Sequence, residues 1–402
     1  MIGTRGVPAH YGGFETAVEE IGRRLVDRGH EVTVFCRSSG DETNDGHYLG
    51  MSRVVLPALS SRTLETLSHT ALSVVHRSLA NVDAAMVFNA ANAPLLPVLR
   101  ARGIPVATHV DGLEWQRAKW GPLGRRYYRV AESLAVRWSD QLIADAVGIA
   151  DYYHEEFDAP TRYIAYGAPI LEGVGSELLE ELDLASGEYH LVVARFEPEN
   201  HVLELVRGYV ASDATKPLVV VGSAPYADAY IAAVREAADD RVRLLGGVWR
   251  QDLLDQLYAN AYTYLHGHSV GGTNPSLLRA AGAGAPIIAW DVIFNREVLG
   301  EPAWFVGDEA AIRAALEAAE ADPEDTAERG RRLQTSIRRY DWDDVARTYE
   351  ALCEELVAGR GDAPRPSGRR RRSGRGAGIE RTNAPVPDAE HDHGVTGSRQ
   401  AE

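Results

Sequence analysis

Apolar positions recur along this chain with two periods that alternate. Residues 15–28, ETAVEEIGRRLVDR, set Val18, Ile21, Leu25 and Val26 on one stripe with charged residues between them. That is a helix with one buried face. Short apolar runs follow, in VTVFC, VVLPAL, DAAMVFNA, PVATHV and DQLIADA. Each has the length of a buried strand and is bounded by Gly or polar residues. Between them LETLSHTALSVVHRSLA, APLLPVLRARG and GRRYYRVAESLAVRWS read as helices. Alternation of strand and helix predicts a mostly parallel sheet.

Near residue 190 the pattern restarts. YHLVVARF, PLVVVGSA, VRLLGGV, YTYLHG and APIIAWD read as strands, with helices such as NHVLELVRGYVAS and YADAYIAAVREAAD between them. The chain therefore reads as α/β, with two Rossmann-like doubly wound domains over residues 1–168 and 186–340. A last helix, over residues 341–358, comes after the second domain is complete. Facing domains of this kind take ligand in the crevice at the strand carboxyl ends.

Charge changes the picture at one end. The 402 residues carry a net charge of −16, which argues against a nucleic-acid binder. Residues 360–381 hold eight Arg against Asp362 and Glu380, a local excess of +6, so the rest carries −22. Residues 360–381 lack a large apolar residue apart from Ile379, and residues 359–402 are expected to be a disordered basic tail. Such a tail is either a solvated extension or an attachment to anionic lipid headgroups. Cys36 and Cys353 are the only cysteines, without metal-ligand spacing or a disulfide framework. A reducing cytoplasm is the expected compartment. No run of about 18 apolar residues occurs, and the N-terminus lacks the regions of a signal peptide.

Three loops could carry chemistry. The first, GTRGVPAHYGG, brings Gly3, Gly6, Gly12 and Gly13 to the start of the helix that begins near Glu15. Free amides at a helix start attract phosphate, although a plain strand-to-helix turn has the same composition. Only Met1 and Ile2 precede this turn, so just the end of its supporting strand is expected. The second loop, THVDGLEWQRAKWG, gathers His109, Asp111 and Glu114 beside Trp115 and Trp120. Polar groups beside aromatic rings suit a sugar, and suit equally a capped loop with half-buried tryptophans. The third, HGHSVGGTNPSLLRAAGAG, runs His266, His268, Gly271, Gly272, Thr273 and Asn274 into a helix. It suits phosphate again, while the histidines also fit satisfied loop positions. Arg195 follows a strand and offers a diphosphate a permanently charged fork, or pairs with Glu197 or Glu199. GTRGVPAHYGG lacks the Gly-x-Gly-x-x-Gly spacing of a dinucleotide dehydrogenase.

Together, IGTRGVPAHYGGFET, VDGLEWQRAKWG, VARFEPEN and HGHSVGGTNPSLLRAAGAGAPIIAWDVIFNREVLG resemble the family 4 (group 1) glycosyltransferases of the GT-B fold. More narrowly they resemble the bacterial subgroup that includes rhamnosyltransferases of polysaccharide assembly. The resemblance covers about residues 1–358 and implies an acceptor-side first domain and a nucleotide-sugar-binding second domain. It implies a last helix that crosses back to the first domain, no bound metal or other cofactor, and retention of anomeric configuration. It makes Asp111 and Arg195 the catalytic candidates. It puts Gly12, Gly13, Glu15, His109, Glu114, Gly246, Gly247, Val248, His268, Gly271, Gly272, Thr273, Asn274 and Arg279 among the substrate-binding positions. The implied partners are a nucleotide-diphosphate sugar and a lipid-linked or saccharide acceptor, met in the cytoplasm or at the inner face of the cell membrane.

Two positions depart from the family pattern. Arg279 stands where a Glu usually accepts from ribose hydroxyls, and a guanidinium has donors only. Asn200 stands where relatives often carry a phosphate-binding Lys. These departures keep open a GT-B-shaped binding or assembly protein without transfer activity. A sugar-nucleotide epimerase is a third reading.

Overall fold

The computed structural model describes residues 1–9, 12–38, 46–59, 64–110, 112–117, 120–222 and 228–359. Asp111 and, from residue 360 onward, the basic tail lie outside these residues, and so do the expectations attached to them.

The first half holds α1 (Gly13–Asp27), β1 (Thr33–Arg37), β2 (Gly46–Tyr48), β3 (Met51–Leu56), α2 (Glu65–Val75) and β4 (Ala85–Phe88). It continues with α3 (Leu96–Ala101), β5 (Val106–His109), α4 (Pro122–Trp138), β6 (Gln141–Ala144), α5 (Val147–Phe157) and β7 (Arg162–Tyr163). β1, β3 and β2 form one ladder and β4 to β7 another. Met1 and Ile2 join them. Ile2 N–H donates to Met86 O and Phe88 N–H to Ile2 O, while Phe35 N–H donates to Met1 O. The Met1 ammonium donates to Thr33 O at 2.7 Å. The slot between β1 and β4 is thus filled by two residues whose backbone groups serve both neighbours, as buried amides must be served.

The second half holds β8 (His190–Val193), α6 (Val202–Val210), β9 (Leu218–Val221), α7 (Asp228–Ala237), β10 (Val242–Gly246), α8 (Gln251–Ala259) and β11 (Thr263–His266). It continues with α9 (Pro275–Gly282), β12 (Ile287–Trp290), α10 (Ile293–Leu299), β13 (Trp304–Val306), α11 (Glu309–Ala321) and α12 (Pro323–Ile337). The sheet runs β10-β9-β8-β11-β12-β13, all parallel. Numbered within the domain, that order is 3-2-1-4-5-6, the doubly wound order whose reversal point lies between β8 and β11.

The strands read from sequence are present. The ones not singled out there, β2, β7 and β13, have only three, two and three residues. No apolar run that short stands out from a turn. APLLPVLRARG is not one helix: Ala90–Leu95 is a 3-10 turn and α3 starts at Leu96. Pro94 sits inside that turn, and Pro97 opens α3, where its missing N–H costs nothing.

The last helix, α13 (Trp342–Val357), packs on α1. Arg24 Nε donates to Asp343 at 2.6 Å, and Arg28 and His30 both reach Glu350. Arg162 pairs with Glu355. Tyr349 and Leu352 of α13 share one buried cluster with Val18 and Ile21 of α1 and with Leu277 and Ile287 of the second half. No helix of the described residues is long and apolar enough to cross a membrane.

Candidate functional site

At the reversal point of the second sheet, two loops leave β8 and β11 side by side. After β8 the chain turns through Arg195 to His201. Asn200 Nδ2 donates to Arg195 O at 2.8 Å, and His201 Nδ1 lies 2.7 Å from Gly267 O. The His201 ring stacks on Trp290 at 3.8 Å between centroids. After β11 the chain passes Gly267, where a Cβ would strike the Asn200 carbonyl. Only glycine lets the two loops run this close. Ser269 donates through both N–H and Oγ to Glu199 O, each at 3.0 Å. The loop then enters α9, capped by Asn274, whose Oδ1 accepts from Ser276 N–H. Pro275 occupies the first turn.

His268, Ser269, Val270, Gly271, Gly272, Asn274, Phe294 and Asn295 line a small pocket in this loop. The rings of His266 and His268 stack at 4.4 Å. Burial drives His266 down to about 3. Burial also holds His268 well below its ordinary value, with His266, Arg195, Arg117 and His201 acting in the same direction. Both imidazoles are neutral at pH 7. His266 Nδ1 is bonded to Tyr264, but His266 Nε2 and His268 Nδ1 are buried with no hydrogen-bond partner among the described residues.

The first domain closes directly on this loop. A Cβ on Gly112 would sit 2.5 Å from Gly271 Cα, and one on Gly272 would run into the Asp145 carboxylate. Thr273 Oγ1 donates to Asp145 O. A Cβ on Gly13 would lie 3.2 Å from the Pro275 ring and 3.6 Å from Tyr166. The N-termini of α1 and α9 therefore meet across the cleft. Each helix start carries about half a positive charge. Before α1 the Arg5 and Ala9 amides are already taken by Glu15 and Glu19, which leaves the α9 side to favour an external anion. Arg117 Nη1 of the first domain lies 3.6 Å from Glu199 of the second, and Arg117 also pairs with Glu114. Glu297 of α10 accepts the Val147 N–H at 3.0 Å, capping α5 from the other domain.

The residues expected from sequence fall into three groups. Arg195, His268, Gly271, Gly272, Thr273 and Asn274 lie together at the reversal point, with Gly12 and Gly13 facing them from α1. Glu15, His109 and Glu114 stand behind the first-domain wall. Glu15 is buried and accepts the Arg5 N–H at 2.9 Å, and burial raises its pKa. His109 stacks between Phe88 and Tyr166, and burial lowers it to about 3. Both of its ring nitrogens lack partners among the described residues. Glu114 accepts from Trp120 Nε1 at 3.2 Å and pairs with Arg117.

The third group stands apart. Gly246 ends the edge strand β10, with Gly247 and Val248 beyond it. Arg279 pairs with Asp255 of α8, so its guanidinium is spent on a helix–helix contact. Asp145, Arg117 and Glu297 were not singled out from sequence, and Glu199, named there only as a partner for Arg195, lies beside Arg117. The one available signal was a carboxylate at the carboxyl end of an apolar run, in QLIADA.

Residues 188–322 match the family described as Glycosyl transferases group 1, and residues 101–169 match a Domain of unknown function (DUF1972). No curated protein matches the chain. Among solved structures, sucrose-phosphate synthase from Thermosynechococcus elongatus is similar with a TM-score of 0.74 and 18% identity, over 87% of this chain and 94% of that one. HepE from Anabaena, in complex with UDP-glucose, is similar with a TM-score of 0.70 and 16% identity, over 87% and 98%. The UDP-forming α,α-trehalose-phosphate synthase from Burkholderia xenovorans, in complex with glucose-6-phosphate, has a TM-score of 0.65 and 13% identity, over 87% and 98%. Residues 188–322 thus belong to the group 1 glycosyl transferases, and the chain has the fold of two facing Rossmann-like domains seen in GT-B glycosyltransferases.

Proposed function

We propose that this protein is a nucleotide-sugar-dependent glycosyltransferase. The donor diphosphate would lie on the second domain between Arg195 and the Gly271–Asn274 loop. The observation that carries the reading is the Gly271–Asn274 loop running into the α9 N-terminus at the reversal point, beside Arg195, within the residues that match the group 1 glycosyl transferases. Transfer builds negative charge on the leaving diphosphate. A fixed guanidinium and oriented amides stabilise that charge in place, without reorganisation at the moment of reaction. The neutral His268 offers a hydrogen bond to a sugar or phosphate oxygen without adding charge.

The sugar would be a hexose, with rhamnose suggested by the subgroup resemblance. The acceptor would be a lipid-linked or saccharide chain of a surface polysaccharide, bound by the first domain near Asp111. Transfer would be metal-independent and retain anomeric configuration. The basic residues beyond 359 would bring the enzyme to an anionic inner membrane face. Release of nucleoside diphosphate from a panel of nucleotide sugars, with and without acceptor, tests this. Turnover in wild type that is lost in Arg195→Ala supports the reading. Absence of release from every donor opposes it.

One observation favours a second reading, a binding protein without transfer activity. The Arg279 guanidinium is held by Asp255, so no acceptor for ribose hydroxyls stands at that position. Activity gained in Arg279→Glu over an inert wild type would select it.

A further inference from the structure

Asp145 follows β6 directly, and its side chain meets the second domain. It is 2% exposed. Gly272 runs so close to its carboxylate that no Cβ fits there, and Thr273 Oγ1 bonds its carbonyl. Among the described residues its Oδ1 is buried without a hydrogen-bond partner, and the same is true of the Tyr349 hydroxyl on α13, which feels the Asp145 charge. Glu297 of α10 acts on Asp145 from the second domain. One carboxyl group thus faces the Gly271–Thr273 loop, α10 and α13 together.

We propose that Asp145 is a positioning residue that clasps the Gly271–Gly272–Thr273 loop to the first domain and makes closure of the cleft sensitive to pH. The assignment of that loop to the donor rests on the proposed function. The clasp itself does not.

The chemistry follows from burial. Burial first, and Glu297 second, lift Asp145 to about 7, although hydrogen bonds from backbone amides, Thr273 among them, pull the other way. Asp145 is in no ion pair among the described residues. The groups facing it are acids: Glu297, itself raised by burial and by Asp151, and the Tyr349 phenol, which burial keeps neutral. The loop contributes no titratable side chain. Opening the cleft would return Asp145 to water and to an ordinary value of about 4. A group raised in the closed state favours that state fully below its ordinary value. It loses the advantage as pH climbs to the raised value. The closure constant therefore falls about tenfold per pH unit between about pH 4 and 7, and is flat above that.

The test uses the full chain without ligand and follows its radius of gyration by solution scattering at pH 5.5, 7 and 8.5. Wild type should be compact at pH 5.5 and expanded at 8.5. Asp145→Asn, neutral and of the same shape, should stay compact throughout. Glu297→Gln should keep the wild-type direction of change. Asp145→Ala should be expanded at every pH, and rescue by Asn but not Ala separates a clasp from mere packing. A wild type whose size does not change, or an Asn variant that expands as wild type does, overturns the proposal. Where a nucleotide sugar turns over, KM of wild type should rise with pH to about 7 and that of Asp145→Asn should not. If no donor is used but the scattering behaves as stated, the clasp stands and the transferase reading falls.

Discussion

Two glycine-rich loops in this molecule each end at a helix N-terminus, and they use it differently. In the loop before α1, the chain supplies its own anions. Arg5 N–H donates to Glu15 and Ala9 N–H to Glu19, so two amides of the loop are already satisfied by carboxylates of the helix they precede. In the loop before α9, Asn274 accepts Ser276 N–H and its hydroxyl, and the one carboxylate met by a loop amide, Asp145 on Thr273, comes from the other domain, among the described residues. Around it stand Arg195, two neutral histidines and a pocket. The same composition thus yields one loop that is largely internally neutralised and one set up for an external anion. The presence of a carboxylate two or six residues into the following helix makes the difference, and a glycine count cannot show it.

The largest expected effect is at the second loop. Arg195→Ala should lower kcat about 100-fold to 1,000-fold, the scale of losing one preorganised group on developing charge, with the melting temperature little changed. Next comes a paired substitution. Gly272→Ala drives a methyl into Asp145 and should raise the donor KM about tenfold or more. Gly6→Ala adopts φ +99 and meets Cys36 Cα at 2.6 Å. It should cost about 1–3 kcal/mol of stability, read by denaturant midpoint, with donor KM unchanged. The opposite pattern would break the comparison.

Glu15→Ala leaves the buried Arg5 N–H without its acceptor and should cost about 1–3 kcal/mol, again with donor affinity intact. The smallest effect lies outside both loops. Burial would raise Glu320, but bonds from His190 and from the Lys216 and Thr215 amides hold it at about 2. The stability it contributes is present above its ordinary value of 4.5 and is lost as pH falls towards 2. Glu320→Gln should flatten that acid limb in a pH series of unfolding midpoints.

Most of the fold could be read from the apolar periods, because most of the longer strands are buried on both faces, the edge strand β10 and the strand β3 apart, and the helices on one. The three shortest strands escaped, since pairing rather than composition makes them. At the site, the reversal-point residues were legible as Gly-rich loops after strands. Asp145, Arg117 and Glu297 were not, and Glu199 only as a neighbour of Arg195, because each owes its role to a contact with the other domain, and nothing local marks such a contact. Glu15 shows the converse: its spacing from the glycines is plain in sequence, but the direction of its carboxylate, back onto Arg5, is a tertiary fact.

The central claim is that an anionic nucleotide is held at the second loop and not at the first. Thermal unfolding of wild type, Arg195→Ala and Glu15→Ala against a panel of nucleoside diphosphates and nucleotide sugars tests it most directly. A ligand at 100 times its Kd should stabilise wild type by about 2.7 kcal/mol. That shift should persist in Glu15→Ala, measured from its own lower midpoint, and vanish in Arg195→Ala. No shift with any nucleotide at millimolar concentration, or a shift that survives Arg195→Ala and disappears in Glu15→Ala, would contradict it.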